Sequence, residues 1–373
     1  MRKITEVPVP LYQGGVFVKY LLILAPMLAA TFLTAGCSAG GPDSRDSQSP
    51  FGVLDFLVWN HEWNKHHYAS LEEVEKAAVM MKEAGIGFVR MDFLWQDIEP
   101  EKGKFDFKKY DELTGILAKH DLRILALLNY NTDWSSKVWN AAPDRALFVG
   151  YVRKVVHRYK KKVKYWELWN EPDDRLYWQP QDYMKAYTLL LKDVTAAIKQ
   201  EDPTAKVVLG GMAKFIPQSL KHVYQNGGKD SFDIVNCHPF QDPRTAEALN
   251  QLRGAYLGMR QVMEAYGDGE KDLWFTELGS PGVAAGKRPY TGWWLGPNPS
   301  EDLQARWLTK VYTKALEWPG VKKIFWAFFR DLDGFFDTGV NDFGLVRHDF
   351  SKKPSYDAYR KVTQEYAARH PAN

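Results

Sequence analysis

From residue 51 onward the chain alternates between two hydrophobic rhythms. Short runs rich in β-branched and aromatic residues recur, bounded by turn-forming residues. They predict strands at 52–59, 87–92, 123–128, 163–169, 207–210, 234–237, 273–276 and 323–328. Between them lie longer segments with apolar residues at three- and four-residue spacing. These predict helices at 71–84, one ending near 120, and further helices at 143–159, 180–200, 218–225, 245–266, 302–317 and 355–365. Ser70 stands where an N-cap belongs, with Glu72 and Glu73 in the first turn behind it. The run at 123–128 is continuously apolar, as suits a strand buried on both faces.

Eight strands separated by helices imply parallel strands joined by right-handed crossovers. The expected fold is therefore α/β, a (β/α)8 barrel in a single catalytic domain spanning 51–373. An open doubly wound sheet is the rival architecture. No Gly-rich phosphate loop follows the first strand, which removes one argument for it.

The first fifty residues follow neither rhythm. Basic Arg2, Lys3 and Lys19 precede an apolar run, "YLLILAPMLAATFLTAGC", that is short and interrupted by Pro26. This reads as a secretory signal over residues 1–36 rather than a membrane span. The segment "LTAGC" resembles the lipobox of bacterial lipoproteins, although Thr34 stands where that motif usually has Leu. The resemblance implies cleavage before Cys37 and lipidation of its sulfur. An ordinary signal peptide with a chance cysteine is the alternative. Residues 38–50, "SAGGPDSRDSQSP", are small and polar and read as a flexible tether. The expected location is extracytoplasmic, on a membrane or cell surface, held through Cys37.

Composition narrows the function. The 373 residues carry 49 basic and 46 acidic side chains, a formal charge of +3. That balance gives no reason to expect nucleic acid, and the lysines at 160, 161, 162 and 164 read as a solvated helix end. Cys37 and Cys237 are the two cysteines. With Cys37 lipidated, no internal disulfide forms. Fourteen tryptophans is a high count, and many lie near predicted strand ends.

In a (β/α)8 barrel the chemistry sits at the carboxyl ends of the strands. Those ends carry Arg90 (strand two), Asn129 (three), Asn170 and Glu171 (four), His238 (six), Glu277 (seven) and Trp326 (eight). Pro172 biases Glu171 away from a helical conformation, which predicts an extended backbone there. Two carboxylates, Glu171 and Glu277, follow strands four and seven. Glycoside hydrolysis needs such a pair, one to protonate the leaving oxygen and one to act at the sugar carbon.

Four segments, "WELWNEP", "FTELG", "VRMDFLWQDIEPEKGKFDF" and "DFGLV…KPSYDAYR", occur in order along the chain. Together they resemble retaining glycoside hydrolases of the clan with catalytic glutamates on barrel strands four and seven. The resemblance is greatest to glycoside hydrolase family 39, with family five as second choice, and covers nearly the whole chain after the tether. It implies that Glu171 is the general acid/base and Glu277 the nucleophile. It implies that Asn170 binds the sugar 2-hydroxyl, that Arg90 keeps Glu277 charged, that His238 lies near the pair, and that Trp326 forms a platform under the sugar. It implies no cofactor and no metal. His61, His66 and His67 match no zinc spacing. Asn60 and His61 are candidates for a neighbouring sugar subsite. Trp95, Trp59 and Trp134 are open between sugar stacking and rim packing, while Trp294 belongs to a long loop, 279–300, expected to cover substrate.

The expected activity is retaining β-glycosidase action on a poly- or oligosaccharide, with no obligatory protein partner. Two alternatives stand beside it: a silent carbohydrate-binding barrel, and a transglycosylase remodelling an exopolysaccharide.

Overall fold

A computed structural model describes residues 49–213, 216–284, 298–334 and 339–371. Cys37, the tether up to residue 48 and Trp294 lie outside the described residues. Eight parallel strands close into a barrel in sequence order. They are β1 (Phe51–Leu54), β2 (Phe88–Leu94), β3 (Arg123–Asn129), β4 (Tyr165–Leu168), β5 (Lys206–Val208), β6 (Ile234–Cys237), β7 (Asp272–Leu278) and β8 (Val321–Ala327). Around them lie α1 (Leu71–Glu83), a one-turn α2 (Trp95–Ile98), α3 (Lys108–Lys119), α4 (Arg145–Tyr159), α5 (Tyr183–Glu201), α6 (Pro217–Gln225), α7 (Ala248–Ala265), α8 (Glu301–Ala315) and α9 (Pro354–Arg369). The barrel expectation holds, and α2 is an addition to the sequence-based elements. Ser70 does occupy the N-cap of α1, but its hydroxyl accepts no helix N–H. Glu73 reaches back to the Ala69 N–H instead.

Strand alternation sorts side chains into two populations. Outward residues such as Val53, Val89, Ile124, Trp166, Val235 and Ile324 join the helices in one continuous apolar layer. Inward residues are stacked by height. At the foot, Phe88, Leu125, Tyr165, Val208, Ile234, Trp274 and Phe325 form a separate plug. The β1 position of that layer is Gly52, where a Cβ would lie 2.4 Å from the Phe325 ring. Glycine is required there because Phe325 fills the space. Below the plug, Lys323 lies over the Phe88 and Trp274 rings and donates to the Ser49 carbonyl. One step higher, the inward positions on β2, β4, β6 and β7 turn polar.

Candidate active site

Arg90 is the first inward residue above Phe88 on β2, and it is fully buried. A lone buried guanidinium costs several kcal/mol, so its partners decide whether the fold tolerates it. Its Nε and Nη2 donate to the two oxygens of Glu167 at 2.7 and 2.9 Å, a bidentate pair. Nη2 also donates to Asn170 Oδ1 at 2.9 Å, and Nη1 to Glu277 Oε1 at 2.7 Å. Burial opposes the charge on Arg90, but Glu167 and Glu277 outweigh it and hold the guanidinium protonated. Glu167 is buried too, and it accepts further bonds from the Gly211 N–H and Asn236 Nδ2. The sequence reading treated Glu167 as an ordinary strand residue. An acidic side chain at an inward position of an apolar strand, level with an inward arginine, was the available signal.

Glu171 and Glu277 reach the mouth by departures from regular strand geometry. Regular alternation on β7 would aim Thr276 inward and Glu277 outward. The β7–β8 register shifts between Phe275 and Leu278. Such an irregularity re-aims a side chain, and Glu277 meets Arg90 while Thr276 still meets His238. At the end of β4, Trp169 and Glu171 adopt left-handed backbone, φ +62° and +46°. The extended conformation expected for Glu171 is therefore corrected. Two left-handed residues in three let consecutive side chains, Asn170 and Glu171, both face the mouth, while Trp169 packs against Trp178 at 4.8 Å. Such conformations cost about 1–3 kcal/mol for non-glycine residues and concentrate at functional sites.

His238 lies between the two carboxylates. Its Nδ1 is 2.8 Å from Glu171 Oε1 and 3.7 Å from Glu277 Oε1, and Nε2 is 3.1 Å from Thr276 Oγ1. Burial lowers the His238 pKa, against the pull of the Glu277 charge. A Cβ on Gly211 would stand 2.0 Å from His238 Nε2, so the segment after β5 must present glycine there. Facing oxygens of Glu171 and Glu277 lie within 4.8 Å of each other.

The carboxyls differ in surroundings. Burial, then Asp173 and Asp174, push the Glu171 pKa well above the ordinary carboxylate range. Glu277 is also raised by burial, but His238 and Arg90 pull it back. The arrangement can thus keep one carboxyl protonated and its neighbour ionised. Glu171, His238 and Glu277 have ligand-like spacing, yet the Arg90 charge 2.7 Å from Glu277 opposes a cation there. The three early histidines do not converge. His61 pairs with Asp97, His66 with Glu62, and His67 with Asp55.

Arg90, Asn170, Glu171, His238 and Glu277 are thus gathered in one cluster. Trp326 is not part of it. It has the parity of Val53 and Leu278, its register partners, and lies with them in the outer apolar layer. Its Nε1 donates to the Phe343 carbonyl. The platform expectation is corrected because Phe325 and Ala327 take the inward positions on β8, and Phe328 follows above them. For Trp95 the choice between sugar stacking and packing falls to packing. The side chain is fully buried, bonded to Glu99 and packed on Tyr151 and Phe148. Trp134 packs edge-on against Trp95 and donates to the Glu99 carbonyl, while Trp59 lies near the Lys109 ammonium. Asn129 is buried and donates to Asp92 at 2.7 Å. Asn60 and His61 serve the first loop. Asn60 Oδ1 bonds the His66 ring, and both His61 nitrogens are engaged, with Asp97 and the Trp63 N–H.

Comparison with known proteins agrees with this architecture. The family model described as beta-galactosidase, glycoside hydrolase family 42, matches residues 62–132. A beta-galactosidase of Haloferax lucentense is 44% identical over 55 residues, 14% of this chain and 8% of that protein. The chain spans less than a tenth of the length of the curated relatives it matches. Among solved structures, a family 39 glycoside hydrolase from Bacteroides cellulosilyticus superposes with a TM-score of 0.67 at 22% identity, covering 86% of this chain and 64% of that one. A beta-xylosidase from Caulobacter crescentus gives 0.62 at 19% identity, covering 87% and 69%. A family 5 protein from Streptomyces cattleya, solved with GlcNAc, gives 0.68 at 14% identity, covering 87% and 82%. In fold, the chain resembles the solved glycoside hydrolase structures of families 39 and 5.

Proposed function

We propose that the chain is an extracytoplasmic retaining β-glycosidase acting on a poly- or oligosaccharide. The observation that carries this reading is the carboxyl pair, with oxygens within 4.8 Å and unequal surroundings, Asp173 and Asp174 adding to the burial of Glu171 while His238 and Arg90 counter that of Glu277. Retaining enzymes hold their carboxyls about 5–5.5 Å apart, whereas inverting ones leave about 6.5–9.5 Å for water. Glu277, held by Arg90, attacks the anomeric carbon as the C–O bond to the leaving group breaks. Glu171 gives its proton to the departing oxygen. Water then attacks the glycosyl–Glu277 ester, Glu171 takes the water proton, and Glu277 is released ionised. Asn170, its Oδ1 fixed on Arg90, offers Nδ2 to the sugar 2-hydroxyl.

The test uses protein lacking residues 1–37, screened on aryl β-glycosides and polysaccharides. Glu277→Ala should lose activity by on the order of 10⁴-fold or more, and azide should restore turnover to a glycosyl azide of inverted configuration. Equal turnover by Glu277→Ala and wild type would overturn the assignment. Binding of a polysaccharide without any turnover would favour the silent barrel. The surface location rests on the "LTAGC" segment. Full-length protein should partition with membranes and carry acyl chains on Cys37 by mass spectrometry, and Cys37→Ala should abolish both.

A further inference from the structure

The mouth carries an aromatic surface that the proton-transfer chemistry does not use. It is built from the loops after β3 and β4. Trp139 is 48% exposed, and Val138 and Leu176 beside it are 41% and 58% exposed. Large apolar side chains left open in a cluster mark a binding surface more often than chance. Tyr130 meets Trp139 edge-on at 4.8 Å and Trp169 at 5.2 Å, and Tyr177 meets Trp139 at 6.4 Å.

These loops are fastened to each other. Asn140 Nδ2 donates to the Leu176 carbonyl at 2.8 Å, and the Gln179 N–H donates to the Asn140 carbonyl at 3.0 Å. The Trp139 carbonyl accepts from the Asn131 N–H. An aromatic held this way loses little freedom on stacking against a ligand.

Position assigns the ligand. Tyr177 follows Glu171 by two linked turns, Asp174 N–H to the Glu171 carbonyl and Tyr177 N–H to the Asp174 carbonyl. The surface therefore adjoins Glu171, and Tyr177 feels the Glu171 charge more strongly than that of Glu277, which β7 presents. In the proposed reaction Glu171 protonates the departing oxygen. Whatever is attached to that oxygen extends over Glu171's side of the mouth.

We infer that Trp139, backed by Tyr130 and Tyr177, is a stacking platform for the sugar unit of the leaving group. The natural substrate then has a pyranose ring beyond the scissile bond, not a small alcohol. Sugar rings present an apolar C–H face that suits an aromatic plane. This inference rests on the glycosidase reading, so the test separates the two.

Wild type, Trp139→Ala and Trp139→Phe are compared on two substrates sharing the same reacting sugar. One is the β-glycosyl fluoride, whose leaving group has no ring. The other is a disaccharide or longer oligomer. The reacting sugar is chosen by screening galactosyl, glucosyl, xylosyl and mannosyl fluorides with wild type. Trp139→Ala should lower kcat/KM on the oligomer about tenfold, equivalent to about 1.4 kcal/mol, and leave the fluoride unchanged. Trp139→Phe should restore most of the loss. Equal effects on both substrates, or none on either, would overturn the platform while leaving the glycosidase reading intact. Failure of wild type to turn over any fluoride or oligomer would overturn the glycosidase reading and the platform with it.

Discussion

Two layers of the barrel interior, one pleat apart, obey different rules. At the foot, Phe88, Tyr165, Trp274 and Phe325 fill the space with apolar rings. At the mouth, the next inward residues on β2, β4, β6 and β7 are Arg90, Glu167, Asn236 and Thr276, joined by hydrogen bonds. The foot is held by shape. The mouth is held by charge balance around one guanidinium. Foot residues are therefore replaceable by other apolar groups of similar volume, whereas each mouth residue has a partner that its removal leaves unsatisfied.

The loss of Glu277 described above is the largest effect expected, and it falls on activity. A paired experiment then probes the two layers. Arg90→Leu leaves Glu167 and Glu277 without their cation and should destabilise by about 3–5 kcal/mol, with activity lost in the fraction that folds. Trp274→Ala opens a cavity and should also cost about 3–5 kcal/mol, but kcat of the folded fraction should stay near wild type. Urea unfolding and active-site titration measure both. Equal kcat losses would mean that the layers are mechanically one.

Gly211→Ala is smaller in scale. Its methyl would meet His238 Nε2, a ring that cannot move without leaving Glu171. A stability loss of about 1–3 kcal/mol is expected, with kcat lowered more than KM is raised. Wild-type kcat would show that the ring's place is not needed.

The smallest effect is on the pH profile. Because the Glu171 pKa is raised, its proton is present below that raised value and lost as pH climbs through it. Activity should therefore fall on the alkaline side as Glu171 ionises. The acidic limb, set by Glu277, should lie above the ordinary carboxylate pKa because that group is raised too. Asp174→Asn removes one negative neighbour of Glu171 while keeping an acceptor for the Leu176 N–H. The alkaline limb should shift downward by about half a pH unit or less. No movement, or an upward shift, would argue against Glu171 as the titrating acid. The sign for stability is opposite to that of an ion-paired carboxylate. Both groups favour the protonated folded state, so their contribution weakens as pH rises from about 4.5 through their folded values.

The strand order was legible in the sequence because alternation and apolar run length report burial directly. Glu171, Glu277, Arg90 and His238 were legible from their places at strand ends. Glu167 was missed because nothing in one strand shows which cation will face it from β2. Trp326 was misread and Trp95 left open because aromatic residues near strand ends serve the core as readily as the cleft, and parity decides between them. On β8 the parity is regular and turns Trp326 outward. On β7 it is broken and turns Glu277 inward. Irregularities of that kind have no single-residue signature. The left-handed turn at Trp169 and Glu171 is a similar case, since neither residue type favours it.

Arg90 has one more consequence, in the order of events as the chain folds. Its bonds reach 77 positions to Glu167, 80 to Asn170 and 187 to Glu277. Contacts so distant in sequence form late, after much of the loop-closure entropy has been spent. Until β2, β4 and β7 stand together, Glu277 has no cation. Competence for chemistry and closure of the barrel are then one event, and recovery of activity on refolding should keep time with the slowest structural phase.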